Sequence, residues 1–414
     1  MADTETMPVP DAISRYLSGA REAETRFLAD LVRLPSDNPP GDCAAHAART
    51  AELLEGLGFT VERHVVPEAE VHANGMISAV NLVVRHRFGP GGKVIALNAH
   101  GDVVPPGEGW TRDPYGAEIV DGWMYGRGVA VSKSDFATYA FALLALRESG
   151  LQLDGAVELH LTYDEEAGGA IGPGILLREK ISQPDLAIAA GFSYAVVNAH
   201  NGCLHLEVQV DGRSAHAAMP FTGVDALQAA NAALSALYAT RGTLSATVSR
   251  IAGIGSPQLT VGLISGGINT NVVPDRVTFR LDRRMIPEEN PQDVEDGLRR
   301  LIGAAVATVP GARATIRRIL LAEPLTPLPG AEVLSAALCE EASRIMGETI
   351  TTRGVPLYTD ARHYAAAGVP IVLFGAGPHT IEEANAHRAD ERLKLDDLFK
   401  ATEVVARALA RLLR

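Results

Sequence analysis

Four short segments carry side chains able to bind cations, move protons or polarise a carbonyl. His100-Gly101-Asp102 directly follows the apolar run that ends Leu97-Asn98-Ala99. A histidine at a strand end can ligate a metal, and an aspartate two residues on can steady the imidazole from behind. The same pair also suits a hydrogen-bonded strand terminus with no further role. Asp164-Glu165-Glu166 follows a second apolar run, 157–162. Adjacent carboxylates can divide the work, one ligating a cation while its neighbour takes a proton from water. A bare Glu-Glu pair is equally the mark of a solvated acidic loop. His387 lies in Asn385-Ala386-His387-Arg388, after the run Ile371–Phe374, and read alone it is a loop residue. Histidine, paired glutamates and histidine at three strand ends are together a donor set for zinc, manganese or cobalt. In the fourth segment His216 stands among small residues, Ser214-Ala215-His216-Ala217-Ala218, where it could donate to a substrate oxygen.

Elements able to hold these segments are visible in the pattern. The first part reads as helices at 10–34, 42–58 and 135–148, interleaved with strands at 59–61, 81–84, 94–98, 157–162 and 186–190. Buried strands alternating with helices predict an α/β sheet covered on both faces. A surface loop is predicted at 87–93, RFGPGGK. Near Asn201 the texture changes, because Leu204–Val210 (LHLEVQV) alternates as a half-wet strand does. A helix at 225–240, strands at 258–265 and 276–281, a helix at 291–306 and a strand at 314–320 complete a β-α-β-β-α-β, ferredoxin-like order. The α/β texture then returns with a helix at 330–346, a strand at 371–374 and a closing helix at 395–413. The expectation is a discontinuous α/β domain, 1–199 and 317–414, with a smaller domain inserted at 200–316.

Composition narrows the function classes. The chain has 414 residues, too many for one core, and a formal net charge of −13. Acidic balance without a basic stripe argues against nucleic acid and anionic membrane surfaces. No apolar run reaches the ~20 residues that span a bilayer. The acidic opening, MADTETMPVPDAIS, lacks the apolar stretch of an export signal. Cys43, Cys203 and Cys339 form no CxxC pair and read as reduced, buried thiols. A cytoplasmic protein is expected.

The motifs together resemble the aminoacylase, acetylornithine deacetylase, succinyl-diaminopimelate desuccinylase and carboxypeptidase G-type family of dinuclear-zinc metallopeptidases. HGDVVPPGEGWTRDPYGAEIVDGWMYGRG at 100–128 is similar to the family's metal-loop signature, and TYDEEAGG at 162–169 to its Glu-Glu motif. GRSAHAAMP resembles the lid motif, GGINTNVVPD the asparagine loop and LDRRMIPEE the arginine segment. YTDARHYAAAGVPIVLFGAG and NAHRADERL resemble the C-terminal ligand region. The resemblance implies a zinc-exopeptidase-like catalytic domain and a lid used for homodimerisation. It assigns His100 to one metal with Asp102 behind it. Glu165 becomes the general base, and Glu166 and His387 ligands of a second metal. His216, Asn271 and one of Arg283 or Arg284 would hold the substrate's oxyanion or carboxylate, with Thr359 and Asp360 lining the cleft.

Two positions depart from that pattern. The family places a bridging aspartate three residues after its GRG and a lysine two beyond. Here Lys133 fixes the register and Val131 stands at the bridge. The carboxylate that ends the PDxxIxx strand is missing too, since Pro184–Ala190 runs into Gly191. Val131 and Gly191 are thus lost ligand positions. One or two protein ligands are too few for tight zinc, so one weakly held divalent ion (Zn, Mn or Co) or none is expected, and no two-metal site. Asp135, one helical turn past Val131, could substitute for the bridge or simply acidify a helix N-terminus. Tyr194 and His200 are further polar candidates near the second lost ligand. Three functions remain open: C–N amide hydrolysis of an N-acyl amino acid or dipeptide-like substrate, metal-dependent or not; non-hydrolytic acid/base chemistry such as decarboxylation, lyase or acyl transfer; and a catalytically silent binder.

Overall fold

A computed structural model describes residues 11–414, so most of the opening segment expected to lack an export signal lies outside the described residues. The chain divides into two compact units, one of residues 11–198, 327–352 and 359–414 and one of residues 199–326 and 353–358.

The first unit is built on a mixed sheet. Its central strands are Ala156–Thr162, Val94–His100, Leu186–Ala189 and Ile371–Leu373, in that spatial order and mutually parallel. Val80–Arg87 and Val61–Val65 extend it antiparallel on one side. Every residue of Ala156–Thr162 is buried, the mark of a strand covered on both faces. The helix Lys133–Glu148 is buried from Lys133 through Leu146, apolar around nearly its whole circumference. It packs between the helices Ala12–Val32 and Leu395–Leu412. Parallel strands all end on one edge of the sheet, and that edge receives His100, the 163–166 turn, Gly191 and Gly375.

A separate antiparallel sheet of three-residue strands, Glu118–Val120, Trp123–Tyr125 and Arg392–Lys394, joins the chain on either side of two site loops. Its strands are too short to show a period in sequence. The helix expected from Asp135 begins two residues earlier, at Lys133. The first strand runs Val61–Val65 rather than 59–61.

The second unit is a four-stranded antiparallel sheet ordered Gln258–Gly266, Arg276–Met285, Gly202–Asp211 and Arg313–Ala322. Leu204, Leu206, Val208 and Val210 face inward against Ala226–Leu244 and Pro291–Val306, a ferredoxin-like arrangement. Asp225 caps the first helix by accepting the N–H of Leu227 at 2.8 Å, and Asn290 caps the second ahead of Pro291. The unit reaches Thr326, past the expected limit of 316, because Arg313–Ala322 pairs with Gly202–Asp211 along its full length.

Candidate active site

His100 ends its strand opposite Thr162. Its backbone N–H donates to Ser132 Oγ at 3.1 Å, and that hydroxyl donates back to the His100 carbonyl at 3.1 Å. Its Nδ1 lies 3.0 Å from the Asp102 carbonyl, leaving Nε2 as the outward nitrogen. Burial alone would depress this imidazole. The Asp102 carboxylate and the charges of Glu165 and Glu166 outweigh burial and hold it well above the ordinary value.

Asp102 is fully buried, and its carboxylate organises the turn beside it. Oδ2 accepts from Asn38 Nδ2 at 2.9 Å and from the Glu166 N–H at 3.1 Å, while Oδ1 accepts from the Glu165 N–H at 3.2 Å. Glu165–Ala167 forms a single 3₁₀ turn closed by Gly168 and Gly169, both at positive φ. At Gly169 a Cβ would stand 2.1 Å from Asp360 Oδ1, so only glycine fits. Donor atoms of His100, Glu165 and Glu166 fall within 4.8 Å of one another. His387 Nε2 is 3.5 Å from Glu166 Oε1, on an exposed loop residue at φ 61°. Hydrogen bonding to Glu166 raises the His387 pKa against its partial burial. Burial pushes Glu165 up to about 7, with Glu166 and Asp102 adding to the rise and His100 opposing it. A carboxylate near 7 beside an imidazolium is matched to proton transfer at neutral pH.

Val131 and Gly191, the two positions where the resemblance expects a metal ligand, have different surroundings. Val131 is half-buried, and its N–H and that of Ala130 both donate to Glu391 Oε1, at 3.2 and 3.0 Å. Glu391 is in turn bonded to Arg127 at 2.6 Å, a fully buried pair. Gly191 backs directly onto the neighbouring strand, where a Cβ would lie 2.8 Å from the Phe374 nitrogen and 2.9 Å from the Leu373 carbonyl carbon. No side chain fits there without moving the sheet edge. Asp135 lies in the first helical turn, but its Oδ1 accepts the Ala376 N–H at 2.7 Å against Gly375. It braces the 375–377 turn and stands outside the donor cluster. Burial raises it to about 7.

The remaining candidates are placed as follows. Asp360 is buried, with a pKa raised well above the usual range by burial and by the charges of Glu165 and Asp164. Thr359 Oγ1 accepts the Ala361 N–H at 3.2 Å. Tyr194 donates to Asp397 at 2.8 Å and stacks on His379. Buried His200 faces the Asn201 carbonyl at 2.9 Å. In the second unit His216 and Asn271 lie on adjoining exposed loops, joined by the Ala217 N–H to the Asn271 carbonyl at 2.9 Å. Arg283 is buried and ion-paired with Glu289, whereas Arg284, on the opposite face, pairs with Asp282 at 3.0 Å. Neither guanidinium is unpaired. Asn38, Ser132, Arg127 and Glu391 escaped the reading of the sequence, because each acts on a residue distant in the chain.

An α/β sheet with a carboxylate pair and histidines at the carboxyl edge of its parallel strands, together with a ferredoxin-like second unit, defines a metallopeptidase-type amide hydrolase. Residues 96–411 match the Peptidase family M20/M25/M40. The chain belongs to this family, and it is an amidohydrolase or peptidase-like enzyme. A succinyl-diaminopimelate desuccinylase of Gluconacetobacter diazotrophicus is 30% identical over 96% of this chain and 99% of its own. An acetylornithine deacetylase of Myxococcus xanthus is 30% identical over 86% and 89%. Among solved structures, an M20 family metallo-carboxypeptidase of Sulfolobus solfataricus superposes with a TM-score of 0.75 at 18% identity, covering 94% of this chain and 99% of its own. A dinuclear metal binding M20 peptidase of Bacillus subtilis gives 0.69 at 18% identity, covering 96% and 99%. The fold class read from the sequence is that of these structures. Among the described residues no helix is long and apolar enough to cross a membrane.

Proposed function

We propose that this chain hydrolyses the C–N amide bond of a small N-acylated, carboxylate-bearing substrate, with Glu165 as general base. The observation that carries the reading is the placement of Glu165. Its backbone is fixed by Asp102, and its carboxyl group is pushed up to about 7 beside His100 and Glu166. Glu165 takes the proton of the attacking water and returns it to the leaving nitrogen. In the ion-free form the protonated His100, within 4.8 Å of that carboxylate, supplies positive charge for the developing oxyanion; with an ion bound, its neutral ring is a ligand and the ion supplies that charge. The names of the relatives, a desuccinylase and a deacetylase, support an acyl group on nitrogen as the part removed.

The metal site is proposed to hold one divalent ion or none. A bridged pair does not fit, since Val131 offers no lone pair and Gly191 has neither a side chain nor room for one. The donors for a single ion are His100, Glu166 and His387. Such an ion would polarise the substrate carbonyl. The chain is further proposed to form a homodimer through the second unit, whose edge strand Gln258–Gly266 exposes Leu263 and Ile264. Light scattering that gave a monomer mass at micromolar concentration would remove that part.

The test is turnover of a panel of N-succinyl, N-acetyl and aminoacyl amino acids in ¹⁸O-water. Label is expected in the released carboxylate, and Glu165→Gln should lower kcat by about 10²–10⁴-fold. Turnover without label incorporation, or an unchanged rate in the variant, would overturn the reading.

A further inference from the structure

Away from the catalytic sheet, three metal-binding side chains meet on one face of the second unit. Antiparallel pairing sets His205 opposite Asp282 and Cys203 opposite Arg284. Strand alternation therefore places Cys203, His205, Asp282 and Arg284 on one side, while Leu204, Leu206 and Leu281 enter the core on the other. His205 Nε2 lies 3.2 Å from Cys203 Sγ and 3.0 Å from Asp282 Oδ2, and the sulfur and carboxylate are 3.9 Å apart.

Two chemistries use these residue types. A nucleophilic relay would place the thiol on one ring nitrogen and the carboxylate on the other. Here both approach Nε2, so the three donor atoms enclose a common point instead. Tetrahedral zinc, with bonds of about 2.0–2.3 Å, separates neighbouring ligand atoms by about 3.3–3.6 Å. The observed 3.0, 3.2 and 3.9 Å straddle that spacing. Thiolate, imidazole and carboxylate form a donor set that zinc favours. The thiolate and carboxylate offset the ion's two charges. Arg284 Nε donates to both Asp282 oxygens, to Oδ1 at 3.0 Å and to Oδ2 at 3.2 Å, fixing the carboxylate as partners of metal ligands do. His205 and Asp282 remain 35% and 30% exposed, so solvent reaches the fourth position.

We propose that Cys203, His205 and Asp282 form a zinc site with water as fourth ligand, separate from the proposed catalytic donors His100, Glu166 and His387. Cobalt(II) distinguishes the two, because the proposed catalytic ligands contain no sulfur. Full-length protein, stripped with chelator, is titrated with cobalt(II) and followed for thiolate-to-cobalt charge-transfer absorption. The band is expected in the wild type and in Glu166→Gln, and lost in both Cys203→Ser and the half-exposed His205→Gln. Zinc should raise Tm in the wild type and bind at least tenfold more weakly to His205→Gln. Circular dichroism identifies any variant that has not folded, and His205→Gln carries the test if Cys203→Ser fails there. No band in the wild type, a band that survives in folded Cys203→Ser, or cobalt uptake abolished by Glu166→Gln alone would overturn the site.

Discussion

Asp102 Oδ1 accepts the backbone N–H of Glu165 at 3.2 Å, so a buried carboxylate sets the position of the proposed base through its main chain. Asp102 also holds the Glu166 N–H and Asn38 Nδ2. Replacement by asparagine keeps the shape but leaves at least one of these donors without an acceptor. Asp102→Asn is expected to lower kcat about 10–100-fold with KM within about twofold. Steady-state kinetics on folded protein checks this, and an unchanged kcat would remove Asp102 from its positioning role.

Val131 and Gly191, the positions proposed to lack a metal ligand, should respond differently to repair. Val131 is half-buried beside Ser132, which is bonded to the His100 backbone. Val131→Asp is expected to tighten zinc binding at least tenfold by calorimetry, since it adds a charged donor where none exists. Gly191→Asp meets backbone at 2.8 Å and is expected to lose about 1–3 kcal/mol of stability with no gain in ion affinity. Zinc binding improved by Gly191→Asp would contradict the close packing described.

Glu24 gives a pH dependence remote from the site. On the helix Ala12–Val32 it accepts from Thr402 Oγ1 at 2.5 Å, and burial pushes it from 4.5 up to about 8. The folded state therefore binds a proton that the unfolded chain releases. This contribution is fully present below about pH 4.5 and is lost as pH rises through about 8. Scanning calorimetry should show the wild type losing Tm relative to Glu24→Gln across that window. Parallel curves would refute the assignment.

The Arg127–Glu391 pair holds the Ala130–Val131 backbone from a loop far along the chain. Glu391→Gln leaves a guanidinium buried without its counter-charge. A loss of about 3–5 kcal/mol in urea unfolding is expected. A loss below 1 kcal/mol would mean that the pair contributes little.

Much of this was legible in residue order. LHLEVQV announced a strand with one buried face, and the helices read at 225–240 and 291–306 are those that cover it. His100 and Glu165 stood after apolar runs, where parallel strands end. What escaped depends on register or on distance in the chain. His205 faces Asp282 only because two strands pair in one register, so Cys203 read as an inert thiol. Glu391 reaches Ala130 across 261 positions. Asp135 turns its carboxylate toward Ala376, a contact that no helical wheel contains. Arg283 and Arg284 are neighbours in sequence but lie on opposite faces of a strand, and alternation alone does not say which face is wet.

The central claim is that amide hydrolysis proceeds in a site unable to hold a pair of ions. The most direct measurement is elemental analysis of Cys203→Ser protein, which removes the proposed second zinc site, combined with turnover before and after chelation. At most one divalent ion per chain is predicted, with hydrolysis abolished by Glu165→Gln in either state. Two ions per chain retained through gel filtration, with turnover that requires both, would contradict it.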